Sequence, residues 1–201
     1  IHHNIAQFAD AAELVFCPCL VDTKYSDVED MEDGAIDLCL FNGAIRTEEN
    51  VHLAELLRRK SKTLVAFGAC ASAGGIPGIA NASTLDAIFE RVYRTTPSTH
   101  NAEGVLPQPA TTMADGVELT LPPLLPMVKA LHHIVGVDYT IPGCPPPSSL
   151  LADAIELLLD DSLPEKGAVL APDKALCDSC PRRELLPAVG DNREDQQADQ
   201  L

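Results

Sequence analysis

The chain has 201 residues, 46% of them hydrophobic, which sets one α/β domain with a sizeable core as the expectation. Aromatic residues make up only 4% and Trp is absent, so that core has to come from Leu, Ile, Val and Ala. Thirty acidic against 14 basic residues leave a net charge of −16, a surface that repels phosphate backbones and excludes general nucleic-acid binding. No uninterrupted apolar run is long enough for a transmembrane span, because Pro122, Pro123, Pro126 and Lys129 break the best candidate. The seven cysteines are an odd number in a long, Leu-rich chain. That pattern points to reduced, metal-binding thiols rather than a secreted disulfide framework.

In chain order, Glu13–Cys17 (ELVFC) reads as a buried strand and Ala35–Asn42 (AIDLCLFN) as a second. An acidic run between them, Asp27, Glu29, Asp30, Glu32 and Asp33, reads as a solvated loop. Thr47 has the chemistry of an N-cap, and Glu48 and Glu49 suit the first turn of a helix that ends near Lys60. Leu53, Leu56 and Leu57 mark its apolar face. Thr63–Phe67 predicts a third strand running into Gly68. Ser83 and Asp86 resemble a capping box ahead of Leu85, Ile88, Phe89 and Val92, spaced for one helical face. From Arg94 to Pro123 periodicity fades, and a long loop is expected. Leu124–His133 then reads as a short helix and Val137–Ile141 as a short strand, followed by a helix opened by Pro147 with Leu151, Ala154, Ile155 and Leu158 in one stripe.

Apolar strands alternating with longer helices predict an α/β fold: a doubly wound parallel sheet of flavodoxin-like type. Ligands in such folds gather beyond the carboxyl ends of the strands. Two cysteines occupy that place. Cys70 stands in Gly68-Ala69-Cys70-Ala71-Ser72-Ala73-Gly74-Gly75, and Cys144 in Pro142-Gly143-Cys144-Pro145-Pro146-Pro147. A thiolate among small residues can approach a bulky inorganic cluster, and nearby backbone N–H groups tune its potential. A third motif, Cys177-Asp178-Ser179-Cys180-Pro181, spaces two thiolates for one cluster or one zinc ion.

Gly68-Ala69-Cys70 with Gly74-Gly75, and Pro142-Gly143-Cys144-Pro145-Pro146 far downstream, together resemble the shared pattern of nickel–iron hydrogenase small subunits and their relative in respiratory complex I. Further stretches resemble the cytoplasmic branch that supplies heterodisulfide reductase, the methyl-viologen-reducing or F420-non-reducing type: Asn42 to Glu49, Gly75 to Asn81, and Cys177 to Arg182. The resemblance implies an electron-transfer subunit of a cytoplasmic hydrogenase. It would relay electrons from a large subunit holding the nickel–iron site, through 4Fe–4S clusters, to a redox acceptor subunit. It also implies that Cys70 and Cys144 ligate a proximal 4Fe–4S cluster, with the other two thiolates in a C-x-x-C expected upstream of Ile1 together with the fold's first strand. Cys177 and Cys180 would open a second cluster whose remaining ligands lie downstream.

On this reading residues 1–165 form the proximal-cluster domain, 166–183 begin a cluster segment, and 184–201 are a polar tail, disordered or aberrant. Cys17-Pro18-Cys19 has the wrong spacing for the missing pair and reads as structural, and Cys39 as a small core residue. His132 and His133 read as cations favoured at a helix end, and Arg46 as either a partner contact or an ion pair where a helix begins. The competing functions are a complex I-like iron–sulfur subunit, a flavodoxin-like FMN protein, and a nonredox zinc or scaffold protein. No Ser/Thr-Gly phosphate loop follows a strand, which weighs against FMN.

Overall fold

A computed structural model of the chain describes residues 12–159, 163–174, 178 and 180–182. The chain divides into two units, Ile1–Ala171 and Pro172–Leu201. The first contains the elements that follow.

A short helix, α1 (Tyr25–Glu29), precedes β1 (Ile36–Asn42). A three-residue strand β2 (Ile45–Thr47) leads directly into α2 (Glu48–Lys60), and β3 (Ser61–Phe67) returns beside β1. After β3 come α3 (Gly68–Ala73), a 3-10 turn (Ile76–Ala82) and α4 (Leu85–Glu90), which loosens into a π-turn (Arg91–Thr95). An exposed hairpin of β4 (Ala110–Thr112) and β5 (Glu118–Thr120) precedes β6 (Leu124–Lys129), a 3-10 turn (Leu131–His133), β7 (Tyr139–Ile141) and α5 (Ser148–Leu159).

The central sheet is parallel, in the order β1-β3-β7, with Ile36 opposite Ser61, Asn42 opposite Phe67, and Phe67 opposite Ile141. Residues 168–170 extend it: the Thr140 N–H donates to the Ala168 carbonyl at 3.2 Å, and the Leu170 N–H donates to the Thr140 carbonyl at 2.8 Å. Alternate side chains of β3 serve opposite faces, as strand geometry requires. Leu64 and Ala66 join Ala54, Leu56 and Leu57 of α2 in one core cluster, whereas Val65 and Phe67 join Ile141, Leu151, Ala154 and Ile155 in the other. Helices therefore cover both faces, the doubly wound arrangement the apolar runs predict. Burying each Leu or Ile of these clusters is worth about 1.5–3 kcal/mol.

The α2 helix forms where its ends are satisfied. Thr47 Oγ1 accepts from the Asn50 N–H at 3.2 Å, and Asn50 Oδ1 accepts from the Thr47 N–H at 3.1 Å. Glu48 and Glu49 lie in the first turn and Arg58, Arg59 and Lys60 in the last, complementing the helix dipole. At the amino end of β7, Asp138 Oδ2 accepts from Arg58 at 2.6 Å and from the Leu64 N–H at 2.8 Å, while Lys166 pairs with Oδ1 at 2.8 Å. This buried carboxylate joins α2, β3 and the segment after α5, at the end of β7 away from Cys144.

Several expected elements differ. Glu13–Cys17 is irregular: Val15 and Phe16 pack against the core, but no strand among the described residues pairs with them. Leu124–His133 is a strand plus a 3-10 turn, not a helix, because β6 pairs antiparallel with β2. Its pairing carries a register shift, an irregularity at a short edge that suits Pro126. The expected loop after Arg94 holds the β4–β5 hairpin. The α4 cap is Thr84, whose Oγ1 accepts from the Ala87 N–H at 3.2 Å, rather than Ser83. The acidic run is partly built in. Asp27 Oδ2 accepts from the Lys24 N–H at 2.8 Å at the start of α1, and Asp33 pairs with the buried ammonium of Lys60 at 3.1 Å.

Candidate metal centre

Cys70 and Cys144 each stand three residues beyond paired residues of neighbouring strands, since Phe67 of β3 lies opposite Ile141 of β7. The loops leaving those strands are joined by the Ala69 N–H donating to the Gly143 carbonyl at 2.7 Å. The fold thus brings the Cys70 and Cys144 loops together at one carboxyl edge. Cys70, half-buried, lies within α3, and Cys144, exposed, lies in the proline-rich turn before α5.

Two glycines make room for this arrangement. Gly75 has φ +52°, and a Cβ there would stand 2.9 Å from Cys70 Sγ and 3.0 Å from Cys70 N and Cα. At Gly143, φ is +133° and a Cβ would meet Pro146 Cα at 2.5 Å. Any side chain at either position would displace a cysteine loop. The Cys144–Pro145 peptide is cis. Beneath the edge, Val65, Phe67 and Ile141 are buried in the core against Leu151, Ala154 and Ile155.

The segment after Cys70 is pinned by an amide that sequence reasoning did not single out. Asn81 Nδ2 donates to the Val128 carbonyl at 2.9 Å, and the Val128 N–H donates to Asn81 Oδ1 at 2.8 Å. This two-way contact ties the 3-10 turn to β6 and leaves Ile76 and Ile79 facing solvent. An Asn followed at long range by a strand has no local signature, so only the fold reveals the pairing.

The other cysteines separate by environment. Cys39 packs against the core as expected, and burial pushes its thiol up to about 11. Cys17 and Cys19 lie in a turn with their sulfurs 3.6 Å apart. Cys177 falls outside the described residues, and Cys180 belongs to the second unit. The Arg46 guanidinium donates to the Leu125 carbonyl at 3.1 Å, fixing β6 beside the start of α2. His132 and His133 are exposed on a 3-10 turn, and His133 Nδ1 accepts from the Ala130 N–H at 3.2 Å. Among the described residues, no group of three or more His, Cys, Asp or Glu side chains converges to hold a metal ion. The loops at the carboxyl edge carry two thiols, Cys70 and Cys144, a donor type that suits iron–sulfur chemistry.

A doubly wound α/β domain that carries cysteines in the loops beyond adjacent parallel strands defines a class of protein in which the sheet edge presents thiols. The chain belongs to the family described as NADH ubiquinone oxidoreductase, 20 Kd subunit, whose model matches residues 1–158. It is 44% identical over 184 residues to the iron-sulfur subunit of the F420-non-reducing hydrogenase of Archaeoglobus profundus, covering 90% of this chain and 56% of that protein. An F420-non-reducing hydrogenase subunit of Methanothermobacter thermautotrophicus is 34% identical over 181 residues, 90% of this chain and 52% of that protein. The chain thus spans about half the length of the curated relatives it matches. A chain in the crystal structure of an NAD+-reducing [NiFe]-hydrogenase in the H2-reduced state superposes with a TM-score of 0.64 at 28% identity, over 81% of this chain and 80% of that one. Among the described residues, no helix is long and apolar enough to cross a membrane.

Proposed function

We propose that this chain is the electron-transfer subunit of a cytoplasmic nickel–iron hydrogenase. It takes electrons from a hydrogen-cleaving large subunit and passes them through 4Fe–4S clusters to an acceptor of the heterodisulfide-reductase type. The observation that carries this reading is the meeting of the Cys70 and Cys144 loops at one sheet edge, linked by the Ala69–Gly143 hydrogen bond. The relatives from F420-non-reducing hydrogenases support the hydrogenase assignment and the preference for this branch over a complex I-like protein.

On this reading Cys70 and Cys144 hold two corners of the proximal cluster, and the other two thiolates belong to a C-x-x-C in the N-terminal part of the whole protein. When bound, the cluster supplies a one-electron carrier. The chain's own residues hold and shield it. Gly75 leaves space beside Cys70 Sγ, Pro145 to Pro147 restrict the Cys144 loop, and buried Phe67 and Ile141 fix the strand ends from which both loops leave. Cys177 and Cys180 begin a second cluster farther along the electron path, within the cluster segment 166–183.

The test uses the complete gene product purified anaerobically with its large subunit. Cys70→Ala or Cys144→Ala should each remove one 4Fe–4S centre by iron and acid-labile sulfide assay and by low-temperature EPR. A full set of clusters in either variant overturns the ligand assignment. Stoichiometric zinc with no visible absorbance in the wild type would replace this reading with a zinc or scaffold role.

A further inference from the structure

The Cys17-Pro18-Cys19 turn plays no part in the site described above, and its chemistry is distinct. The two sulfurs are 3.6 Å apart, Cys19 is exposed and Cys17 half-buried. The turn itself is built: the Cys17 carbonyl accepts from the Leu20 N–H at 2.9 Å and the Val21 N–H at 3.0 Å. Phe16 anchors its amino side, packing on the core and against the Tyr25 ring at a centroid distance of 5.8 Å. One thiol is thus held on a fixed base while the other can turn toward it. Cys19 hydrogen-bonds to Cys17, and this contact holds its thiol above the ordinary 9.0. Among the described residues no third ligand converges there.

We propose that Cys17 and Cys19 form a dithiol that exchanges with small disulfides and closes to an intramolecular disulfide. One cysteine, as thiolate, attacks a sulfur of the external disulfide. That S–S bond breaks, a thiolate leaves, and a mixed disulfide forms on the protein. The second cysteine gives its proton to water and attacks the protein-side sulfur, expelling the second external thiolate. Two protein thiols are oxidised by two electrons, and one external disulfide is reduced to two thiols. The sulfurs, 3.6 Å apart, must close by about 1.6 Å to reach bonding distance.

The full chain, incubated with oxidised glutathione and then alkylated, gives a direct test. Its tryptic peptide ending at Lys24 carries Cys17 and Cys19 and no other cysteine. The expected product is that peptide lighter by two hydrogens, inert to iodoacetamide and restored by dithiothreitol. It should form several-fold faster from the folded chain than from the chain in urea. Cys17→Ser and Cys19→Ser should instead each retain one glutathione adduct. A wild-type peptide that keeps two alkylatable thiols, accumulates glutathione adducts, or closes equally fast in urea overturns the proposal.

Discussion

Gly75→Ala is the sharpest probe of the cysteine edge. Gly75 has φ +52° and ψ −149°, a backbone region close to one that only glycine populates freely, so any side chain there costs about 1–3 kcal/mol in strain. The new methyl would also stand 2.9 Å from Cys70 Sγ and 3.0 Å from Cys70 N and Cα. The sulfur can rotate away, but the main-chain atoms cannot, and such overpacking adds about 1 kcal/mol or more. Together these cost about 2–4 kcal/mol, a fall in Tm of roughly 5–15 °C for a chain of this size. Thermal unfolding by circular dichroism measures it, with Gly116→Ala as the comparison. Gly116 has φ +85° but no atom within 4 Å of its would-be Cβ, so its substitution carries only the conformational cost, about 1–2 kcal/mol. In the complete complex, Gly75→Ala should also shift the EPR signal of the proximal cluster, because Cys70 Sγ has to move. Equal Tm losses for the two variants would refute the contact. A large loss with an unchanged EPR signal would leave Gly75 structural and remove Cys70 from the ligand set.

Asp138→Asn should destabilise the chain by about 2–3 kcal/mol by denaturant titration, below the range for a fully buried pair because Lys166 reaches solvent. Burial pushes the Asp138 carboxyl up, but its hydrogen bonds to Lys166, Arg58 and the Leu64 N–H outweigh this and hold it below the ordinary 3.8. Its contribution is therefore fully present above that value and lost as pH falls through the lower folded value; a wild-type-minus-variant difference that persists unchanged well below pH 3.8 would contradict this. Asn81→Ala should cost about 1–3 kcal/mol, since it leaves the Val128 N–H and carbonyl without their partner, and should raise hydrogen exchange at Val128. Cys39, its thiol pushed up to about 11 by burial, should be the slower of Cys39 and Cys19 to alkylate at neutral pH. Cys39→Ala should leave the iron content intact, and a changed cluster spectrum would overturn its assignment to the core.

The parts legible in the sequence are those where local and tertiary preferences agree. The TLVAF of β3 has no choice but burial on both faces, the apolar run of β1 half-buries beside it, and Thr47 announces α2 by its own side chain. The position of Cys70 and Cys144 followed from the strand ends alone. Misreadings arose where pairing overrides propensity. Leu124, Leu125, Met127 and Lys129 favour a helix, yet β2 offers an open edge and Pro126 cannot continue a helix interior. The β4–β5 hairpin had a signal in Asp115-Gly116, a turn pair between Thr-rich segments, but its exposed strands lack the apolar alternation that marks a half-buried sheet. Glu13–Cys17 has a strand's composition and no partner among the described residues. The Asn81 clip and the Asp138 network join residues 47 and 80 positions apart, beyond any local pattern.

The shared rung of β3 and β7 has an evolutionary side. Cys70 and Cys144 are 74 positions apart, yet each is the same three steps from one paired rung of the ladder. Between them, β4 and β5 pair with each other in an exposed hairpin. Lengthening, shortening or rewriting that hairpin leaves the β3–β7 rung and the spacing at its base untouched. A lineage can therefore refit this surface for new company without renegotiating the geometry that its two thiols need.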